Sequence, residues 1–492
     1  MRISTNTIFN QNVTQLDTLS SNLQQTQQQV SSGQRILTPS DDPAGAALAL
    51  QITQTSALNA QYVTNIGTTN DAATLTEGTL QGVTSLLQNI QSTAVQAGDP
   101  ALAASDRATL ATNLQSNLTQ LLGLANSTDA VGNYLFSGFK GTTQPFVNTA
   151  NGVQYNGDDG QRLIQVSPNQ QVATSSSGAD IFMRIKNGNG TFATQATAAN
   201  TGSGIISQGN VINPAAINGN SYQIAFTSPN LYNVYDTTVA TQAAPANTGN
   251  GVVSAGSVTN TATFNSDTYQ VVFTSPNNYN VFDTTTDPGM AGAPLSSGAY
   301  TSGQPISFNG MQLSIQGAPA TGDAFIVNST NTPALLTPPS PGTYVSGQAI
   351  NVGGMQFDIS GTPSGGDSFA VTPSTNESVF QTITNFIALL KNGSATSTQI
   401  TAGVNSAIGG MNNALNSVLT ARASLGARMN DLTALSSTET DLGTQYTQTL
   451  STLQNVDYNK ALTQLSAQQI ILTAAQKSFT QIQNLSVFDY MR

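Results

Sequence analysis

The side chains of this chain best suited to chemistry are a few carboxylates and two isolated guanidiniums. Asp41 and Asp42 stand together before Pro43, Asp323 and Asp367 each follow a glycine, and Arg35 and Arg428 sit towards opposite ends. A pair of carboxylates can act as general acid and base, and carboxylates gathered with carbonyl oxygens suit Ca²⁺. The partners such chemistry usually requires are missing, because the 492 residues include no His and no Cys. That removes the commonest general base and metal ligand, every thiolate, and any disulfide framework. One Asp per turn is too few for Ca²⁺, so Gly322-Asp323 and Gly366-Asp367 read as turn chemistry. Asp41-Asp42-Pro43 reads as a helix start, where acids are favoured by the helix dipole and Pro fits the first turn. The expectation is no catalytic, cofactor or metal site, and a protein that is not an enzyme. An enzyme carried in the middle of the chain would need a carboxylate-only or Ser-Lys mechanism, and Lys is absent from most of that region.

Composition narrows the partners. Charged residues are 8% and hydrophobic ones 38%, with a formal net charge of −11. No Lys or Arg occurs between Lys186 and Lys391, whereas Asp236, Asp267, Asp283, Asp287, Asp323, Asp358, Asp367 and Glu377 do. Such a surface cannot grip a phosphate backbone, so no nucleic acid partner is expected. Residues 1–30 lack a basic segment followed by an apolar one and a small-residue cleavage site, and no apolar run approaches a membrane span. The reading is of a soluble protein, or one exported without a cleaved signal peptide, and without membrane insertion.

The elements that position these residues follow from hydrophobic spacing. Phe9, Leu16, Leu23 and Val30 recur at sevens and predict a long amphipathic helix ending at Ser31-Ser32-Gly33. A second helix is predicted from about Pro43 until Gly98-Asp99-Pro100, and a third through Leu110, Leu114, Leu118, Leu121 and Leu124 to about Asn126. Alternating Tyr, Phe, Val and Ile among Gly and Pro then predict strands as far as about Glu377. Helical spacing returns at Val379 and, after a Gly-Ser interruption, runs through Val418, Leu425, Leu432, Tyr446 and Leu453. The last stripe is Leu465, Leu472 and Phe479, with Leu462, Ala475 and Ile482 beside it.

Two internal repeats organise the middle. Tyr222 to Asp236 recurs as Tyr269 to Asp283, 47 residues later, and Tyr300 to Phe325 recurs as Tyr344 to Phe369, 44 residues later. They predict two related β modules in tandem, the first incomplete, each completing its neighbour's core. Tyr222, Phe226, Tyr269 and Phe273 are expected to face a core and not a carbohydrate. The fold class is α+β multidomain, with long N- and C-terminal helices forming a coiled coil or helical bundle around a β-rich, repeat-containing insertion. The terminal stripes of Phe9, Leu16, Leu23, Val30, Leu465, Leu472, Phe479 and Ile482 must meet each other or a partner, either by closing a bundle within one monomer or by packing between copies.

Ser31-Ser32-Gly33-Gln34-Arg35-Ile36 with Pro39-Ser40-Asp41-Asp42-Pro43-Ala44-Gly45, and Leu425-Gly426-Ala427-Arg428-Met429-Asn430, resemble the paired N- and C-terminal signatures of the flagellin superfamily. Met1 to Thr5, Asn133 to Gly138 and Leu485 to Tyr490 resemble its hook–filament junction branch more than its filament-forming one. The family motif residues are thus Ser32, Gly33, Arg35, Asp41, Asp42, Pro43, Gly426 and Arg428, and Arg35 and Arg428 could pair with acids across subunits to set register. The resemblance implies residues 1–40 with 455–492 as a terminal coiled-coil assembly domain, 41–140 with 379–454 as a helical rod, and 141–378 as an outer insertion. It further implies an extracellular flagellar component passed through the type III export channel. Its implied partners are a ring of its own copies, hook-associated protein 1, flagellin, and an export chaperone at the C-terminal region. The alternatives are filament flagellin itself, or a flagellum-borne adhesin acting through the β modules.

Overall fold

The structure, a computed structural model, describes residues 5–149, 152–260, 263–329, 334–336 and 342–484. Helices α1 (Thr5–Ser32), α2 (Pro43–Ala97) and α3 (Ala104–Ala125) precede a run of short strands, and α4 (Val379–Lys391), α5 (Ser397–Gln454) and α6 (Tyr458–Asn484) follow it. The boundaries have local causes. Gly33 ends α1 with a φ of +75°, a conformation that a Cβ would strain. Ser378 starts α4, its hydroxyl accepting the Gln381 N–H at 3.0 Å. The Asn392-Gly393-Ser394 break separates α4 from α5. Helix α2 runs unbroken through Gly67, Gly78 and Gly82.

The chain forms two compact units, and the division falls inside α2 and α5, at 70/71 and 428/429, not at helix ends. The first unit takes residues up to 70, 164–172, and from 429 onwards. It contains a small core of Ile66, Val166, Val172 and Leu432, with Ile164 and Leu435 beside it. The second unit takes 71–163 and 173–428. Its helical core joins Leu80, Val83, Leu87 and Ile90 of α2 to Leu114 and Leu121 of α3, Ile383 and Phe386 of α4, and Met411 and Val418 of α5. Phe136, Phe146, Phe182 and Phe380 extend it, with the Phe136–Phe182 and Phe146–Phe380 rings 5.4 and 5.3 Å apart.

Two antiparallel β modules complete the second unit. In one, the strand order is Leu231–Asp236, Tyr222–Ser228, Ser368–Pro373, Phe192–Ala196; in the other it is Asn278–Asp283, Thr268–Ser275, Ala324–Asn328, Thr238–Ala243. The registers correspond residue for residue. Phe369 lies between Ile224 and Ala196, and Phe325 lies between Val271 and Ala243. Each module has its own buried core, one including Tyr222, Phe226, Phe357 and Phe369, the other Tyr269, Phe273, Ile315 and Phe325. All four aromatics noted in the sequence therefore face inwards.

This corrects the expectation of a tandem pair with an incomplete first member and a shared core. The first module is complete but discontinuous, built from 192–236 and 342–373, and the second, within 238–328, is inserted into it. Two different offsets are what such nesting produces: the leading halves are 47 residues apart and the trailing halves 44, with the order reversed. Equivalent polar devices close both modules. The Tyr300 hydroxyl reaches the Ile315 and Gly317 carbonyls at 3.0 and 2.8 Å, and that of Tyr344 reaches Ile359 and Gly361 at 3.1 and 2.7 Å.

Asp323 and Asp367 are buried at 1% and 2% exposure. The Asp323 carboxylate accepts the N–H groups of Thr248, Gly249 and Ala320 at 2.7, 3.0 and 2.8 Å. Asp367 accepts those of Thr201, Gly202 and Ser364 at 2.7, 3.0 and 2.9 Å. Both carboxylates are surrounded by donors, which is the opposite of a cation site. Burial opposes the charge on Asp323, but the Ala320, Thr248 and Gly249 N–H groups outweigh it and hold the carboxyl below the usual range. Among the described residues no group of three or more acidic, His or Cys side chains is placed to hold a metal ion, and no helix is long and apolar enough to cross a membrane.

Candidate assembly surface

The N-terminal motif residues build the connection between α1 and α2 and fasten it to the α5–α6 connection. Gln34 and Asn455 form an antiparallel bridge, the Arg35 N–H donates to the Gln454 carbonyl at 2.6 Å, and the Val456 N–H donates to the Gly33 carbonyl at 2.9 Å. A Cβ on Gly33 would stand 3.0 Å from the Tyr458 hydroxyl, a second reason for glycine there. Ser32 contributes its hydroxyl, which accepts the Gln34 N–H at 3.2 Å.

Arg35 reaches the Leu453 carbonyl through Nε at 3.1 Å and Nη2 at 2.9 Å, placing a cation at the C-terminal end of α5. Its Nη2 also meets Asp42 Oδ2 at 3.1 Å. Asp42 Oδ1 caps α2 by accepting the Gly45 N–H at 2.9 Å, with Pro43 at the first helical position. Asp41 Oδ2 accepts the Leu37 and Thr38 N–H groups at 2.9 and 2.8 Å, and its Oδ1 accepts from Gln25 Nε2 at 2.8 Å. The backbone N–H of Thr38 leads in holding the Asp41 carboxyl below its ordinary value; for Asp42 the Gly45 N–H leads, followed by Arg35. The acids and Arg35 are thus occupied within their own chain.

Helices α1 and α6 pair antiparallel. The Phe9 and Phe479 rings lie 5.5 Å apart at one end, and the Gly33–Val456 bond closes the other. Leu16, Leu23 and Val30 on α1, and Leu465, Leu472 and Phe479 on α6, are half-buried, while Phe9 is exposed. The Ile482 side chain lies outside the described residues, as do the motifs at 1–4 and 485–490. Among the described residues of the pair only Thr26 and Ala461 are fully buried. Leu462, Ile470 and Ile471 are exposed at 49%, 70% and 51%. Ile470 and Ile471 escaped the sequence reading because they fall off the seven-residue stripe; two adjacent isoleucines in a helix of Gln, Ser and Thr were the available signal.

The C-terminal motif lies on α5. Arg428 is half-buried, its Nη1 donating to the Ala173 carbonyl at 3.1 Å, and burial lowers its pKa. Gly426 has nothing within 4 Å of where a Cβ would stand. Two further helix-to-helix locks carried no spacing signal. Arg422 meets Glu77 at 2.6 Å, and the buried Asn59 donates to the Glu439 carbonyl and carboxylate at 3.0 and 2.5 Å.

The terminal helices thus leave Leu462, Ile470 and Ile471 uncovered, and in the sequence they flank a β-rich middle; both ends of the chain match known family models. Residues 3–141 match the bacterial flagellin N-terminal helical region and residues 408–491 the bacterial flagellin C-terminal helical region. The chain is similar to flagellar hook-associated protein 3 of Salmonella typhimurium, 36% identical over 185 residues, which are 38% of this chain and 58% of that protein. The chain thus aligns with under two thirds of the length of this curated relative. A crystal structure of hook-associated protein 3 from Legionella pneumophila superposes with a TM-score of 0.58 at 27% identity, covering 82% of this chain and 98% of that one. A crystal structure of the flagellar junction protein FlgL from the same organism gives 0.51 at 26% identity, covering 83% of this chain and 100% of that one.

Proposed function

We propose that the protein is a structural component of the bacterial flagellum that joins hook to filament, assembled through its terminal helices, and that it performs no catalysis. The observation that carries this reading is the undercovered α1–α6 pair. Ordering the backbone costs about 1–2 kcal/mol per residue. Apolar burial returns only about 25 cal/mol per Å². A pair of helices of 28 and 27 residues, with two fully buried side chains among those described, gains little from its own contacts. Further copies packed on Leu462, Ile470 and Ile471 would supply the missing area. The likeness to hook-associated protein 3 supports the junction as the place of assembly. In this reading the chain is exported from the cell, forms a ring, and meets hook-associated protein 1 on one side and flagellin on the other. A chaperone shields its C-terminal region beforehand.

Deletion of the gene, scored by electron microscopy and by assay of flagellin in the medium, tests this. Hooks without filaments and flagellin shed as monomer are expected. Intact filaments would refute the junction role.

A further inference from the structure

The second unit contains a cleft of about 700 Å³ bounded by strands of both β modules and by α4 and α5. Its lining is unusual in charge: Glu377 is the one ionisable side chain among the residues that form it, and the remainder are chiefly Asn, Gln, Ser, Thr, Gly and Ala. A wall with so little charge offers no electrostatic attraction to nucleotides, phosphates or polyamines. Side-chain amides carry both donors and acceptors, as sugar hydroxyls do, so each can satisfy the other in either sense. Gln195, Gln316 and Asn405 present amides that make no hydrogen bond to the protein among the described residues. Leu389, half-buried in the lining, supplies an apolar contact of the kind on which the C–H face of a sugar ring can rest. Glu377, whose Oε1 accepts from Asn385 Nδ2 at 3.2 Å, adds one strong acceptor at the edge.

We propose that this cleft binds a neutral oligosaccharide, through the exposed amides of Gln195, Gln316 and Asn405 and an apolar contact at Leu389. The site is distinct from the module aromatics, which are spent on the two cores, and it does not depend on the assembly reading. The volume falls in the range of about 300–1,000 Å³ typical of small-molecule sites.

The test uses the purified full-length chain, with saturation-transfer NMR and calorimetry against neutral gluco-, cello- and chito-oligosaccharides, and heparin and polygalacturonate fragments as anionic controls. At least one neutral series should saturate, with affinity unchanged by added salt. A Gln195→Ala, Gln316→Ala, Asn405→Ala triple variant should weaken it by about tenfold or more, since each loss removes a hydrogen bond. Ser406→Trp, at an exposed position of the lining, should block it by filling the cleft. Binding by none of the neutral series, preference for the anionic fragments, or undiminished affinity in both variants would overturn the proposal. Filament assembly by these variants should remain normal, which separates this site from the assembly surface.

Discussion

The terminal helix pair and the nested β modules use apolar residues in opposite ways. In the modules, Tyr269, Phe273, Phe325, Phe357 and Phe369 are all exposed by 2% or less, and each module closes its core alone. In the α1–α6 pair the seven-residue stripes reach only half-burial, and isoleucines face outwards. Both regions contain enough apolar residues to build a core. The difference lies in shape: the strands of each module surround their core side chains, whereas two helices share a single seam and leave the rest of each surface bare. A region that finishes its own core is a self-sufficient fold, and the one that does not is the surface on which we propose that further copies pack.

That contrast is sharpest for core truncation. Phe325→Ala should destabilise the second module by about 3–5 kcal/mol, the usual cost of emptying a fully buried Phe site. Urea unfolding followed by tyrosine fluorescence would measure it, and a change below about 1 kcal/mol would show that the module core is loosely packed. A smaller loss is expected at the buried acid. Asp323→Ala strands three backbone N–H groups and should cost about 1–3 kcal/mol. Because the Asp323 pKa is lowered on folding, its stabilisation is fully present above the ordinary carboxylate value of about 4 and is lost as pH falls through the folded value. The stability of the module in urea should therefore fall less steeply with decreasing pH in Asp323→Asn than in the parent chain.

Nesting gives a test with still less effect on the remaining fold. Replacing residues 238–333 by a short Gly-Ser turn should remove one unfolding transition and leave that of the module built from 192–236 and 342–373 in place. Collapse of both modules would mean that they share a core after all. At the other extreme, Leu472→Asp with Phe479→Asp should leave both module transitions unchanged and yet abolish incorporation into flagella, read by electron microscopy and by recovery of the variant from the medium. Wild-type incorporation would sink the terminal-helix reading.

Much of this architecture is legible in residue spacing. The seven-residue stripes predicted α1 and α6, Gly98-Asp99-Pro100 and Asn392-Gly393-Ser394 marked real breaks, and Pro43 marked the start of α2. Asp41 and Asp42 could be recognised as turn and cap residues because their partners lie within a few positions along the chain. Arg35 could not be placed in the same way: its main acceptor, the Leu453 carbonyl, is 418 residues away. The same applies to Glu77 with Arg422 and to Asn59 with Glu439, single polar residues with no periodicity of their own.

By itself, then, the sequence determined the helices at both ends, the β-rich middle, its duplication, and the absence of His and Cys chemistry. These are encoded in local composition and in period, which survive without knowledge of distant partners. Only the tertiary structure decided that one β module sits inside the other, that Asp323 and Asp367 are buried clasps, and that Ile470 and Ile471 are left facing solvent. Each depends on which remote segment covers a residue, and burial is a property of the neighbours a side chain meets, not of the side chain alone.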